Sequence, residues 1–104
     1  SALKTLRARG TIFTDVFSRG TLLVEVYKPQ GVDLQTPHNQ DEVYIVISGS
    51  GTFNCGGERT PFGRGDFLFV PAGVEHRFEN FTDDFATWVI FYGPRGGETS
   101  LFTR

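Results

Sequence analysis

The chain has 104 residues and a formal net charge of −2, from 10 basic and 12 acidic side chains scattered along its length. This pattern offers no basic stripe for nucleic acid and no polybasic patch for a membrane surface, and no apolar run approaches the roughly 18 residues of a spanning helix. The single Cys55 precludes an internal disulfide and fits a reducing compartment, so we expect a soluble cytoplasmic protein. The length is that of one domain, which we expect to span residues 1–104.

Short runs rich in Val, Ile, Phe, Thr and Tyr recur from Thr11 onward, separated by Gly, Pro or Asp at fairly even intervals. Such runs are typical of β-strands, and no window shows a sustained helical period. The predicted strands, in chain order, are Thr11–Phe17, Thr21–Tyr27, Asp33–His38, Glu42–Ser48, Gly51–Cys55, Glu58–Pro61, Asp66–Val70, His76–Phe81 and Phe85–Tyr92. Many short strands with tight turns predict an all-β sandwich or barrel, with its core at residues 11–92 and a tail at residues 93–104.

Side chains alternate between the two faces of a strand, so the strand assignments also predict which residues point inward. In Glu42–Ser48 both faces are largely apolar, which indicates burial on both sides, one inside the barrel and the other against a second sheet or subunit. In His76–Phe81 the charged positions should face solvent, so His76 and Phe78 should point into the interior.

The two histidines of the chain, His38 and His76, both lie in short segments that contain several polar residues. Glu42 directly precedes an apolar run that would bury it, and a buried carboxylate needs a metal, an arginine or a proton as its partner. If the three side chains face the same interior, two imidazoles and one carboxylate converge. That donor set is typical of a divalent transition metal site with open coordination positions.

Residues 65–80 resemble the second motif of the cupin superfamily, which reads Gly, five residues, Pro, one residue, Gly, two residues, His, three residues, Asn. The matching positions are Gly65, Pro71, Gly73, His76 and Asn80. The resemblance implies a cupin-type jelly-roll barrel, or double-stranded β-helix, of two antiparallel sheets. It also implies a protein that is commonly a homodimer.

The first cupin motif has Gly, then His-x-His, three or four residues, Glu, six residues and Gly. Glu42 and Gly49 match its second half, and His38 falls where the second histidine is expected, but Thr36 stands in place of the first. The resemblance implies that His38, Glu42 and His76 are metal ligands and that the usual fourth ligand is missing.

Two alternatives address the missing ligand. The neutral hydroxyl of Thr36 is a weak donor for a divalent metal, whereas Gln40 carries an amide oxygen that could be a fourth ligand or could orient one. The simpler alternative has three protein ligands, as catalytic metal sites often do. Fe, Mn, Ni or Zn would suit either arrangement.

Further candidate residues carry two interpretations. Tyr44, Phe78 and Trp88 could line a substrate pocket, or could belong to a plain aromatic core. Glu25, in the strand Thr21–Tyr27, is expected to be solvated rather than catalytic.

Two classes of function follow from the sequence. The first is a metal-dependent enzyme acting on a small oxygen-bearing molecule, for which the cupin resemblance implies dioxygenase, isomerase or lyase chemistry. The second is a small-molecule binding or sensing barrel without catalysis, in which the metal is structural or absent. A purely structural dimer filled by aromatic side chains is a third, weaker alternative.

Overall fold

The structure is a computed structural model that describes residues 4–8, 11–33 and 35–99. These residues form nine β-strands and no helix. The strands are β1 (Lys4–Ala8), β2 (Thr11–Arg19), β3 (Leu22–Lys28), β4 (Asp41–Ser48), β5 (Gly51–Cys55), β6 (Glu58–Phe62), β7 (Phe67–Val70), β8 (His76–Glu79) and β9 (Ala86–Tyr92). In this part of the chain, no helix is long and apolar enough to cross a membrane.

The strands pair antiparallel and form two sheets. The larger sheet has six strands in the order β1-β2-β3-β9-β4-β7, and the smaller has three in the order β6-β5-β8. Strand β9, the last of the nine along the chain, lies between β3 and β4 and pairs with both. This arrangement confirms the predicted all-β fold of two antiparallel sheets.

Most of the predicted strands are present, each within two residues of its predicted ends. The prediction of a strand at Asp33–His38 is wrong, because its described residues form a connection in which the Asp33 carboxylate accepts a hydrogen bond from the backbone N–H of Gln35. Strand β1 was not predicted, since Leu6 is its one large apolar residue and gives no alternating pattern. The predicted tail lies partly outside the described residues.

Aromatic side chains fill the space between the two sheets. The ring of Phe78 is central, with its centroid 4.7 Å from that of Phe85 and 4.8 Å from that of Tyr44. The aromatic rings around Phe78 are those of Tyr27, Tyr44, Phe53, Phe62 and Phe85. Edge-to-face and tilted contacts of this kind stabilise a core beyond the burial of apolar area.

Strand β4 shows the predicted alternation. Glu42, Tyr44 and Val46 are buried in the interior, and the intervening residues lie on the outer face of the larger sheet. On that face Ile45 and Ile47 are exposed, so the second layer predicted to cover them is not formed by the described residues.

Gly49 ends β4 where the chain passes very close to the segment before β9. Its φ is +84°, and an added Cβ would lie 2.5 Å from the Cα of Phe85. Only glycine tolerates both the left-handed backbone and this close approach, which explains the glycine at this motif position.

Candidate metal centre

The structure brings together the three side chains that the sequence predicts as metal ligands. Glu42 is the second residue of β4 in the larger sheet, His76 is the first residue of β8 in the smaller sheet, and His38 lies in the connection that precedes β4. One ligand-capable atom from each side chain lies within 4.8 Å of the others. The geometry therefore provides a candidate site, while metal binding there stays a prediction.

Glu42 is the centre of this cluster. Its Oε1 lies 2.8 Å from Nδ1 of His38 and 3.2 Å from Nε2 of His76. Among the described residues these histidines are its ion-pair partners, and no arginine takes that role. The Glu42 side chain is 1% exposed and that of His38 is 29% exposed, so solvent reaches the cluster past His38.

The hydrogen bond of His76 to the backbone determines which of its nitrogens can bind a metal. Nδ1 lies 2.9 Å from the carbonyl oxygen of Val74, and a carbonyl only accepts, so Nδ1 must carry the hydrogen. In the neutral ring Nε2 then has a lone pair directed at Glu42. Among the described residues, neither His76 Nε2 nor Glu42 Oε2 has a hydrogen-bond partner, although both atoms are buried. The lone pair of Nε2 faces Glu42 Oε1 at 3.2 Å, and two such electron-rich atoms are unfavourable neighbours unless a proton or a cation lies between them.

The Asp33 carboxylate anchors the connection that carries His38. It accepts hydrogen bonds from Gln35 N at 3.1 Å, Gln35 Nε2 at 3.0 Å and Phe78 N at 2.8 Å, and the Tyr27 hydroxyl also donates to it. Because Phe78 belongs to β8, this buried carboxylate ties the connection to the smaller sheet. Such a fully hydrogen-bonded buried charge fixes one local geometry.

The turn before His76 provides a second anchor. Gly73 N donates to the carbonyl oxygen of His38 at 2.7 Å, and Ala72 N donates to Asp41 Oδ1 at 2.9 Å. The turn that leads into His76 is therefore hydrogen-bonded both to His38 and to Asp41, the first residue of β4. These bonds explain why the two histidine segments lie side by side although they are distant in sequence.

The two residues considered in connection with a fourth ligand differ in their surroundings. Thr36 is exposed. Gln40 Nε2 donates to the carbonyl oxygens of Thr21 at 2.9 Å and Gly93 at 3.0 Å, so this amide ties the connection to the ends of two neighbouring strands. A metal-ligand role for Gln40 stays a prediction, and the convergence of three side chains does not require it.

The structure places two of the three predicted pocket residues in the interior. Tyr44 and Phe78 are buried, and the Tyr44 ring centroid lies 5.9 Å from that of His76. The assignment of Trp88 to the interior is wrong. On β9 the interior positions are held by neighbours such as Val89, and Trp88 is exposed on the outer face of the sheet. Both faces of β9 are apolar, so the sequence pattern did not distinguish them.

Glu25 is also a buried carboxylate, contrary to the expectation that it is solvated. Asp15 lies directly opposite it on β2. Burial first, and then the hydrogen bond to Asp15 and its charge, raise the pKa of Glu25 to about 7, although the nearby His38 lowers it. A carboxyl with this pKa can accept or release a proton near neutral pH. The sequence did contain one indication that Glu25 is buried, because Leu23 and Tyr27 lie on the same face of the strand.

Substituting Glu25→Gln should flatten the pH dependence of stability in the metal-free protein. A carboxyl whose pKa rises on folding, from 4.5 to about 7, binds more protons when folded. Its contribution is complete below pH 4.5 and is lost as the pH rises through about 7. At about 1.4 kcal/mol per unit, the loss is at most on the order of 3 kcal/mol. Urea denaturation at pH 4.5 to 8 with a chelator measures it.

The exposed Glu58 offers a matched control for that measurement. The Glu58→Gln protein should follow the pH dependence of the wild type. A Glu25→Gln protein that parallels the wild type at every pH would show that Glu25 titrates as an ordinary exposed carboxyl.

The chain is similar to known proteins in both sequence and fold. A family model described as Cupin domain matches residues 23–92. An uncharacterised protein of Streptomyces coelicolor is 45% identical over 62 residues, which is 60% of this chain and 59% of that protein. The chain therefore spans less than two thirds of the curated relative that it matches.

Two solved structures illustrate the likeness in fold. The cupin-2 domain protein Rru_A2000 of Rhodospirillum rubrum superimposes with a TM-score of 0.73 at 14% identity, covering 90% of this chain and 70% of that one. The nucleoside dehydratase Pac13 of Streptomyces superimposes with a TM-score of 0.67 at 18% identity, covering 93% and 78%. A further structure of Pac13 was determined with uridine. At these identities the likeness concerns the fold alone.

Proposed function

Since the chain belongs to the cupin family, whose model matches residues 23–92, we propose that it binds a divalent transition metal together with a small oxygen-bearing molecule. His38, Glu42 and His76 are the ligands, and Fe, Mn, Ni and Zn are the candidate ions. The small molecule occupies the open coordination positions of this three-ligand site.

The observation that carries this proposal is the arrangement of lone pairs around Glu42. His76 Nε2 and Glu42 Oε2 are buried and have no hydrogen-bond partner in the part of the chain that the structure describes. The bond from Nδ1 to the Val74 carbonyl prevents the neutral His76 from donating through Nε2. A bound cation would satisfy both atoms at once. Fixing the ring through its second nitrogen is also the usual way in which proteins orient a histidine ligand.

The surrounding residues support a small molecule as the second ligand. A bound metal would act as a Lewis acid toward an oxygen atom of that molecule. The barrel interior is filled by aromatic side chains, so the space left is suited to a small ligand rather than to a macromolecule. The small molecule would approach the site from the side of the partly exposed His38. We propose that Glu25, on the interior face of β3, is the carboxyl that exchanges a proton with this molecule.

The metal content of protein purified without a metal-affinity column, before and after incubation with each candidate ion, tests the proposal. We expect equimolar metal in the wild type. The His76→Ala variant should bind metal more than about 100-fold more weakly, since losing a residue that merely orients a ligand already costs 10–100-fold.

Thr36→Ala serves as the control for a change at the position of the missing motif histidine. Thr36 is exposed, so this variant should take up metal as the wild type does. Metal content that stays far below equimolar with all four ions, or uptake that survives His76→Ala, would contradict the proposal.

A further inference from the structure

The segment after β9 packs against the loop that carries His38. We call residues 93–98 the strap, and we call residues 38–41, which end at the first residue of β4, the His38 loop. The residues that bond between these two segments are 53 to 57 positions apart in the sequence. Their contact is therefore a feature of the fold rather than of a local turn.

Three successive residues of the His38 loop are hydrogen-bonded to the strap. Gly96 N donates to the carbonyl oxygen of Asn39 at 2.6 Å, and Glu98 N donates to Asp41 Oδ2 at 2.9 Å. The side chain of Gln40 donates in the opposite direction, to the first carbonyl oxygen of the strap. The strap therefore fixes the backbone that directly follows the first proposed ligand of the metal centre.

Asp41 joins the strap to both histidine segments. It is 7% exposed, and its Oδ1 accepts the hydrogen bond from Ala72 N in the turn that leads into His76. One buried carboxylate of the His38 loop thus bonds the strap and that turn at the same time. Because a buried charge is stable only while its hydrogen bonds are formed, release of the strap should also loosen the His38 loop.

Gly97 allows the strap to approach Asp41 this closely. Its φ is +93°, and an added Cβ would lie 2.8 Å from Asp41 Oδ1 and 3.2 Å from the Cβ of Ala72. The left-handed backbone and the lack of space both require glycine here. A single methyl group at this position should therefore separate the strap from the His38 loop.

We propose that the strap is a positioning element for the metal centre, which holds the His38 loop in place so that His38 lies beside Glu42. The inference rests on the proposed metal-binding function. The coupling between the two is reciprocal, because a docked strap that favours metal binding must itself be favoured by bound metal to the same extent. Metal bound inside the barrel would thus control the docking of a segment beyond its last strand.

Glu98→Pro in the full chain tests the positioning role, because proline lacks the N–H that donates to Asp41. This variant should bind Zn²⁺ about 10–100-fold more weakly than the wild type in a calorimetric titration, as for residues that orient a metal ligand. Glu98→Ala keeps the N–H and should lose much less. Arg95→Ala, at an exposed position of the strap, should bind Zn²⁺ as the wild type does.

Gly97→Ala is a second, independent variant, since it adds a Cβ against Asp41 and keeps every backbone donor. It should also weaken Zn²⁺ binding, and circular dichroism verifies that it and Glu98→Pro fold. Unchanged Zn²⁺ affinity in both folded variants, or equal weakening by Arg95→Ala, would overturn the proposal.

Amide hydrogen exchange measures the coupling in both directions. In the wild type, bound Zn²⁺ should slow the exchange of the Gly96 and Glu98 amides. In metal-free Gly97→Ala, the Gly73 amide, which donates to the His38 carbonyl oxygen, should exchange about 10-fold faster, the effect of losing one hydrogen bond to a charged group. The buried Val89 on β9 should change less, which separates local loosening from a loss of global stability.

The metal-free measurement keeps this inference distinguishable from the proposed function. A wild type that takes up none of the four ions would contradict the metal site, and the exchange of Gly73 would still show whether the strap holds the His38 loop. Unchanged exchange of Gly73 in Gly97→Ala would overturn the role of the strap, even if the wild type bound metal.

Discussion

Replacing Glu42 by Gln should abolish the stabilisation of the protein by added metal and leave the metal-free protein at least as stable as the wild type. A metal that binds only the folded state, at a free concentration about 100 times its Kd, adds about 2.7 kcal/mol to the free energy of unfolding. This stabilisation depends on the Glu42 carboxylate as a ligand. Glu42 is 1% exposed, and its Oε2 has no hydrogen-bond partner within residues 4–8, 11–33 and 35–99. A neutral amide of the same shape avoids burying that charge.

Thermal unfolding with a chelator and with excess metal measures both parts of this prediction. Glu79→Gln is the control, because that glutamate pairs with Arg59 on the surface at 2.9 Å. It should lose little stability and should keep the full response to metal. A Glu42→Gln protein that is still stabilised by metal would exclude Glu42 as a ligand. One that is several kcal/mol less stable without metal would show that the bond to His38 outweighs the cost of the buried charge.

The sequence could predict that His38, Glu42 and His76 converge because these residues have a distinctive chemistry. His38 and His76 are the only histidines in the chain, and Glu42 precedes an apolar run that had to bury it. The alternation within β4 correctly placed Glu42 on the same face as Tyr44. Strand boundaries followed in the same way from runs of β-branched and aromatic residues between glycines and prolines.

Trp88 shows where this reasoning fails. Alternation identifies the inner face of a strand only when the other face is polar. Near Trp88, both Val89 on the opposite face and Ile90 on the same face are apolar. The ambiguity has a structural origin, since Trp88 lies between Val26 and Ile45 on an outer sheet face that is itself apolar there.

Asp33 was missed for a different reason. A single carboxylate in a strand or a connection is ordinarily solvated, and its burial depends on partners that are distant in the sequence. Asp33 bonds to the backbone of Phe78 on the smaller sheet. Such a contact follows from the folded topology and has no local signal in the sequence.

Substituting Asp33→Ala should destabilise the protein by about 2–6 kcal/mol, because two buried backbone donors would be left without an acceptor and each such group costs about 1–3 kcal/mol. The change removes the acceptor of the backbone N–H groups of Gln35 and Phe78, at 3.1 Å and 2.8 Å. These buried groups would each lose a strong hydrogen bond. Urea denaturation in the presence of a chelator measures the loss without a contribution from metal.

The same substitution should weaken metal binding, because Asp33 holds the connection that places His38 beside Glu42. We expect a loss of about 10–100-fold, as for residues that orient a metal ligand, measured by titration at a temperature where the variant remains folded. Asp33→Asn keeps one acceptor oxygen and should lose less of both quantities. Asp83→Ala, at an exposed turn, should change neither. If Asp33→Ala lowered stability but left metal affinity unchanged, the bond between Gly73 and His38 would suffice to position the histidine.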